Sequence, residues 1–340
     1  MSGDDPSSIG TENTMRERAG ESRLKLWVLL KANRLVLTGV LASLMFVAFV
    51  VSGAVLFPPF RQTAITTDVL DTIFTTMTSA VLTGVTLIVS INQLVISQEN
   101  GPLGDQRQRM SATLDYRDYA SELLGTTTPA DPSMFLRALV SATGQRARTF
   151  RESIEDSDNE DLKEEVDAFV DSLIENAEEV RDELDGATFG TFDVLFAALN
   201  YNYAWKIFQT DRISDEYDSA LSDEQQGDLY QLRSSLAMFG PAREHIKTLY
   251  FQWALTSLSQ LIIYAALPAL VVSGIMMSFV DGTTFTGSTL GISDILWVTA
   301  GALTLTLVPF LLFVSYISRI ATVAKRTLAI GPLILRDSQR

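Results

Sequence analysis

Cysteine is absent from the 340 residues, and His245 is the one histidine. Disulfides, thiolate metal sites and a cysteine nucleophile are thereby excluded, and imidazole chemistry is left a single position. Four long apolar runs contain no Asp, Glu, Lys, Arg or His, so a proton relay, an ion-coupling carboxylate or a voltage-sensing arginine row has no residues to use there. The sequence holds no phosphate-binding glycine loop, zinc motif, serine elbow or kinase set. Asp156-Ser157-Asp158-Asn159-Glu160 has calcium-loop character at its start, but Asp161 stands where the sharp turn needs Gly and Asp167 where a bidentate Glu is needed. No catalytic activity, cofactor or metal is expected.

Cations are also few: 26 Lys and Arg stand against 41 Asp and Glu, a formal net charge of −15. Nucleic acid is therefore not an expected partner. Yet 47% of the residues are hydrophobic, so two chemistries are segregated along one chain. Between Glu152 and Asp185 sixteen carboxylates face only Lys163 and Arg181. This composition resembles that of haloarchaeal membrane proteins, whose carboxylate surfaces stay hydrated in molar salt. A cation-attracting vestibule is the functional alternative.

Crossing a ~30 Å hydrocarbon core takes about 20 mostly apolar helical residues. Leu35 to Phe57, Ile73 to Ser97, Trp253 to Val280 and Ile295 to Ser318 meet that requirement without a charge. Short flanks set their orientation. Arg23, Lys25, Lys31, Arg34, Arg107, Arg109, Arg243, Lys247, Arg319, Lys325 and Arg326 all fall on one side. The loops Pro58 to Thr72 and Asp281 to Asp294 carry Arg61 as their only cation, beside four aspartates. The expectation is an all-α integral membrane protein of the cell (plasma) membrane, with four transmembrane helices and both termini cytoplasmic. A cytoplasmic helical bundle is inserted between spans two and three. Its segments are a disordered tail (1–20), an interfacial helix (21–34) that sets Leu24, Trp27, Val28 and Leu30 among cations at the inner interface, spans one and two (35–97), the acidic helical domain (98–250), spans three and four (251–320) and a cytoplasmic C-terminal tail (321–340).

Within the acidic domain the reading is helical, with no convincing strand. Gly101-Pro102 closes the second span, and Asp105 to Leu124 follows as a helix. Asp131 is an N-cap with Pro132 in the first turn of a helix to about Glu155. Leu162, Val166, Phe169, Leu173, Ala177, Val180 and Leu184 recur at steps of three and four, with acids elsewhere, as on an amphipathic helix. Phe192, Leu195, Phe196, Leu199, Tyr203 and Phe208 suggest one further helix. Ser222-Asp223-Glu224-Gln225 has capping-box spacing, and Gly240-Pro241 is read as the start of the helix entering span three. His245, beside Arg243, Glu244 and Lys247, is read as a surface or interfacial residue.

The second span is chemically distinct. Thr75, Ser79, Thr83, Thr86, Ser90, Gln93 and Ser97 follow at intervals of 4, 4, 3, 4, 3 and 4, one helix face across the whole thickness. Hydroxyl and amide oxygens in such a row replace part of an ion's hydration, as on a pore wall. Packing through small residues such as Ala80 and Gly84, with hydroxyls bonded back to the preceding turn, is the alternative. Thr256, Ser259, Gln260 and Pro268, and Thr299, Thr304, Thr306 and Pro309, read as packing and kink positions. One protomer supplies one stripe, so a pore requires homo-oligomerisation.

The layout resembles the bestrophin family of anion channels: four spans, both termini inside, a large helical insertion after span two, and a pore lined by that span. The resemblance implies a pentamer and anion selectivity. The family's aromatic and aliphatic neck has no match in this hydroxylic stripe, and its acidic calcium clasp cannot be placed. The resulting expectation is a homo-oligomeric ion channel with inorganic ions and membrane lipid as partners. A non-conducting scaffold or sensor, binding a partner through its acidic helices, is the competing reading.

Overall fold

The computed structural model describes residues 22–56, 59–99 and 101–326. The tail expected at 1–20 and positions 327–340 lie outside the described residues. In chain order the helices are α1 (Arg23–Leu26, continued by a π turn over Trp27–Lys31), α2 (Arg34–Val55), α3 (Phe60–Thr66), α4 (Val69–Glu99), α5 (Leu103–Leu124), α6 (Pro132–Ile154), α7 (Glu160–Leu184), α8 (Asp193–Leu199), α9 (Tyr203–Glu216), α10 (Asp223–Phe279) and α11 (Asp294–Arg326). Four of them, α2, α4, α10 and α11, are long and apolar enough to cross a membrane. The described residues divide into two compact units: those of 32–99 with 252–321, and 101–251 with 22–31 and 322–326.

In the first unit α4 turns Leu70, Phe74, Val81 and Ile88 inward, at steps of four, seven and seven. They pack on Met276, Ala266, Ala269 and Ile262 of α10 and on Ile295, Ala302 and Leu312 of α11. Half of the apolar stretch of α11 is buried, against 11% of that of α2, so α11 is central and α2 peripheral. Leu35, Val40, Leu44, Val47, Val51 and Val55 of α2 are exposed, a surface suited to hydrocarbon. Arg34, read in the sequence as a basic flank, is buried. Its Nε donates to the Ala32 carbonyl (2.9 Å) and Nη1 to that of Ser315 (3.1 Å). Arg319 Nη2 donates to the same Ala32 carbonyl, so two arginines satisfy the carbonyl left open between α1 and α2, and Arg34 ties it to α11.

The loop after α10 is shaped by close approaches. A Cβ on Gly282 would lie 2.6 Å from the backbone of Ala64 and Ile65 in α3. Two short strands, β1 (Ser288–Thr289) and β2 (Ile292–Ser293), then pair through a turn with positive φ at Leu290 and Gly291, the hairpin geometry that matches strand twist. The sequence reading has no strand here, because two-residue strands are too short to show alternation.

The second unit is built on the antiparallel pair α6 and α7. Leu136, Leu139 and Phe150 interlock with Leu162, Val166, Val170, Leu173, Val180 and Leu184. Phe169, read as part of the buried stripe, is only partly buried, and Val170 takes the inward position. Arg137, Arg148 and Arg151 meet Asp185, Glu178 and Asp171 at 2.8, 3.1 and 2.8 Å, a ladder whose order follows the antiparallel crossing. Part of the acidic face is thus paired with α6.

Caps hold the helix starts. Asp131 accepts from the Ser133 and Met134 amides. The Asp156–Glu160 segment is a cap: Asn159 Oδ1 accepts from the Leu162 amide. Ser222 and Gln225 exchange bonds as a capping box.

Two boundaries differ from the sequence reading. The apolar run from Phe192 to Phe208 is two helices, α8 and α9, because the Asn200 carbonyl is drawn off to Asn176 Nδ2 (2.9 Å) while Asn200 Nδ2 donates to Glu183 (2.8 Å). Asn176 Oδ1 also accepts from Lys206 Nζ at 2.8 Å, with the buried ammonium 5.0 Å from the Tyr201 ring centroid. Gly240-Pro241 starts no helix: α10 runs through it. Glycine is needed there because a Cβ would lie 2.9 Å from the Tyr203 ring.

Candidate functional site

The seven stripe residues stand on α4, and every one is exposed. They occupy the side of the helix opposite Leu70, Phe74, Val81 and Ile88. From Thr75 to Ser97 the row rises about 33 Å at 1.5 Å per residue, the thickness of a hydrocarbon core. The structure thus brings all seven onto one outward face. Of the polar positions read as packing sites in α10 and α11, Ser259, Thr299 and Thr306 are buried and Thr304 is half-buried, whereas Thr256 and Gln260 are exposed.

The hydroxyls are locally bonded. Ser79 donates to the Thr75 carbonyl (3.1 Å), Thr83 to Ser79 (2.9 Å), Thr86 to Leu82 (2.9 Å), Ser90 to Thr86 (3.0 Å) and Ser97 to Leu94 (2.8 Å). Each bond uses the hydroxyl hydrogen and leaves oxygen lone pairs facing outward. With the donor and acceptor of the Gln93 amide, the face presents hydrogen-bonding groups and no fixed charge, a surface that can solvate ions of either sign.

Two residues extend the face beyond those singled out in the sequence. Thr72 and Thr76 are exposed, and Thr76 donates to the Thr72 carbonyl at 2.7 Å. They precede Ser79 and Thr83 by seven residues, so a seven-residue step finds them. Thr78 lies elsewhere, its hydroxyl 3.8 Å from Met277 Sδ. Asn92, next to the stripe's Gln93 in sequence, falls in phase with the inward side, and its Oδ1 is buried. Gly84 meets nothing within 4 Å of a built Cβ. It borders an apolar cavity of about 340 Å³ walled by α4, α10 and α11, including Pro309 and Phe310. Gly84 therefore does not serve tight packing within the protomer.

His245, expected at a surface, is exposed. Among the described residues no group of three or more His, Cys, Asp or Glu is placed to hold a metal ion.

The sequence matches the DUF7972 family, a family of unknown function, over residues 1–340. The chain belongs to that family. No curated protein and no solved structure matches it. The exposed polar face of α4 is the feature of this chain that neither helix packing nor capping within the protomer explains.

Proposed function

We propose that the protein is a homo-oligomeric ion channel in which α4 lines the pore and the helices of residues 101–251 form a cytoplasmic vestibule or gate. The observation carrying this reading is the exposure of all seven stripe residues along the apolar thickness. A polar row turned away from its own protomer is matched by water and by equivalent rows from symmetry-related copies. The basic flanks support a cytoplasmic side for the termini and this domain, with the plasma membrane as the bilayer crossed. The bestrophin-like layout suggests five subunits.

Reconstituted protein is expected to conduct, and Thr83→Phe or Thr86→Phe to reduce the current at least severalfold. Conductance indifferent to every stripe substitution removes the pore assignment. The back-bonded hydroxyls favour a second reading, because bonding to the preceding turn is how Ser and Thr tolerate lipid. In that case the protein is a non-conducting scaffold whose acidic helices recruit a partner. Silent bilayers together with a stoichiometric partner in pull-downs would establish it.

A further inference from the structure

A second candidate site lies within the unit of residues 101–251. A cavity of about 380 Å³ opens between α5, the loop before α6, the start of α6 and the middle of α10, in the size range of small-molecule sites. Its walls are mostly apolar, with Pro129, Phe135, Ala242, Ile246 and Leu249 contributing. No Asp or Glu is among the lining residues, in a chain of net charge −15.

The charged group at this wall is Arg117, half-buried. Arginines elsewhere in the unit, such as Arg137, Arg148, Arg151, Arg212 and Arg233, are paired with carboxylates. Arg117 instead donates through Nη2 to the Thr128 carbonyl at 2.9 Å, and no carboxylate pairs with it among the described residues. That bond pins the guanidinium to the loop while leaving other N–H groups for a ligand. Tyr116 contributes a neutral face: its hydroxyl donates to the Met238 carbonyl at 2.6 Å, and burial holds its pKa above the ordinary phenol range. His245 is exposed at the rim.

We infer that this cavity binds a monoanion with an apolar tail, a medium-chain carboxylate in its simplest form. Arg117 holds the carboxylate and the Phe135–Ile246 wall covers the tail. One guanidinium above hydrocarbon suits a single negative charge. A phosphate dianion needs more donors, and a neutral or cationic tail leaves the guanidinium uncompensated.

The test uses the full chain in lipid nanodiscs with a diazirine analogue of decanoate, adducts being mapped by mass spectrometry. Labelling is expected on peptides containing Tyr116, Phe135 and Ile246, competed by decanoate and not by decan-1-ol at equal concentration. Arg117→Gln is expected to weaken binding about tenfold, as loss of a charge-assisted hydrogen bond does. Ala112→Trp, which fills the cavity from an exposed position on α5, is expected to abolish labelling and carries the test if Arg117→Gln fails to fold. Adducts confined to the apolar helices, equal competition by decan-1-ol, or labelling unchanged in both variants overturns the inference.

Discussion

Single residues fix where the helices begin, and their chemistry gives a pH dependence with a definite sign. The hydrogen bond from the Ser133 hydroxyl, followed by that from the Met134 amide, holds the Asp131 carboxyl below the ordinary range. A group whose folded pKa is depressed stabilises the fold above its unfolded pKa, roughly 3.9 for Asp, and loses that contribution as pH falls through the folded value. Asp131→Ala is expected to cost about 1 kcal/mol at neutral pH, the usual value of an N-cap, measured by thermal unfolding in detergent. Asp131→Asn keeps an acceptor without titrating. The wild-type advantage over Asp131→Asn should therefore shrink as pH drops from 6 to 3, and an advantage that grows would contradict the cap. Asp131 was legible in the sequence because caps are local chemistry. Gly240 was misread because its cause, the ring of Tyr203, is distant in the chain.

Between elements, apolar burial outweighs the many ion pairs. Leu173 on α7 is fully buried, whereas Glu178 on the same helix is half-exposed in its pair with Arg148. Leu173→Ala is expected to cost about 3 kcal/mol by transfer and cavity terms. Glu178→Gln is expected to cost less than about 1 kcal/mol, because exposed pairs are weak and screened by salt. Denaturant titration of both variants in the same detergent compares them directly. The buried Lys206 is a different case. Asn176→Ala removes its 2.8 Å acceptor and the donor to the Asn200 carbonyl, and is expected to cost about 3 kcal/mol. Lys206→Met, which removes the charge with its need for a partner, is expected to cost less. A larger loss for Lys206→Met would show that the ammonium itself is structurally required. Periodicity made α7 readable to within one side chain, Val170 replacing Phe169. It could not reveal the α8–α9 break, because the carbonyl captured there is bonded by a residue of another helix.

For the molecule as a whole, four apolar helices and an acidic helical unit were legible because hydropathy and charge are summed over many residues. The phase of the α4 stripe was legible for the same reason. Its outward direction was not, since phase says which residues share a face and not what that face meets. The Arg117 cavity was also hidden, because its walls come from segments more than a hundred residues apart in sequence. The chain has no cysteine, so a single introduced thiol reports its own surroundings, and this gives the most direct test of the pore. Thr83→Cys, Thr86→Cys and Ser90→Cys are compared with Val89→Cys, which is exposed at the edge of the face, roughly 75° around α4 from the middle of the stripe. The reconstituted protein is treated with a charged methanethiosulfonate reagent while current is recorded. The expected result is rapid current block at the three stripe positions and none at Val89. Modification without current change at the stripe, or block at Val89 alone, would contradict a pore lined by this face.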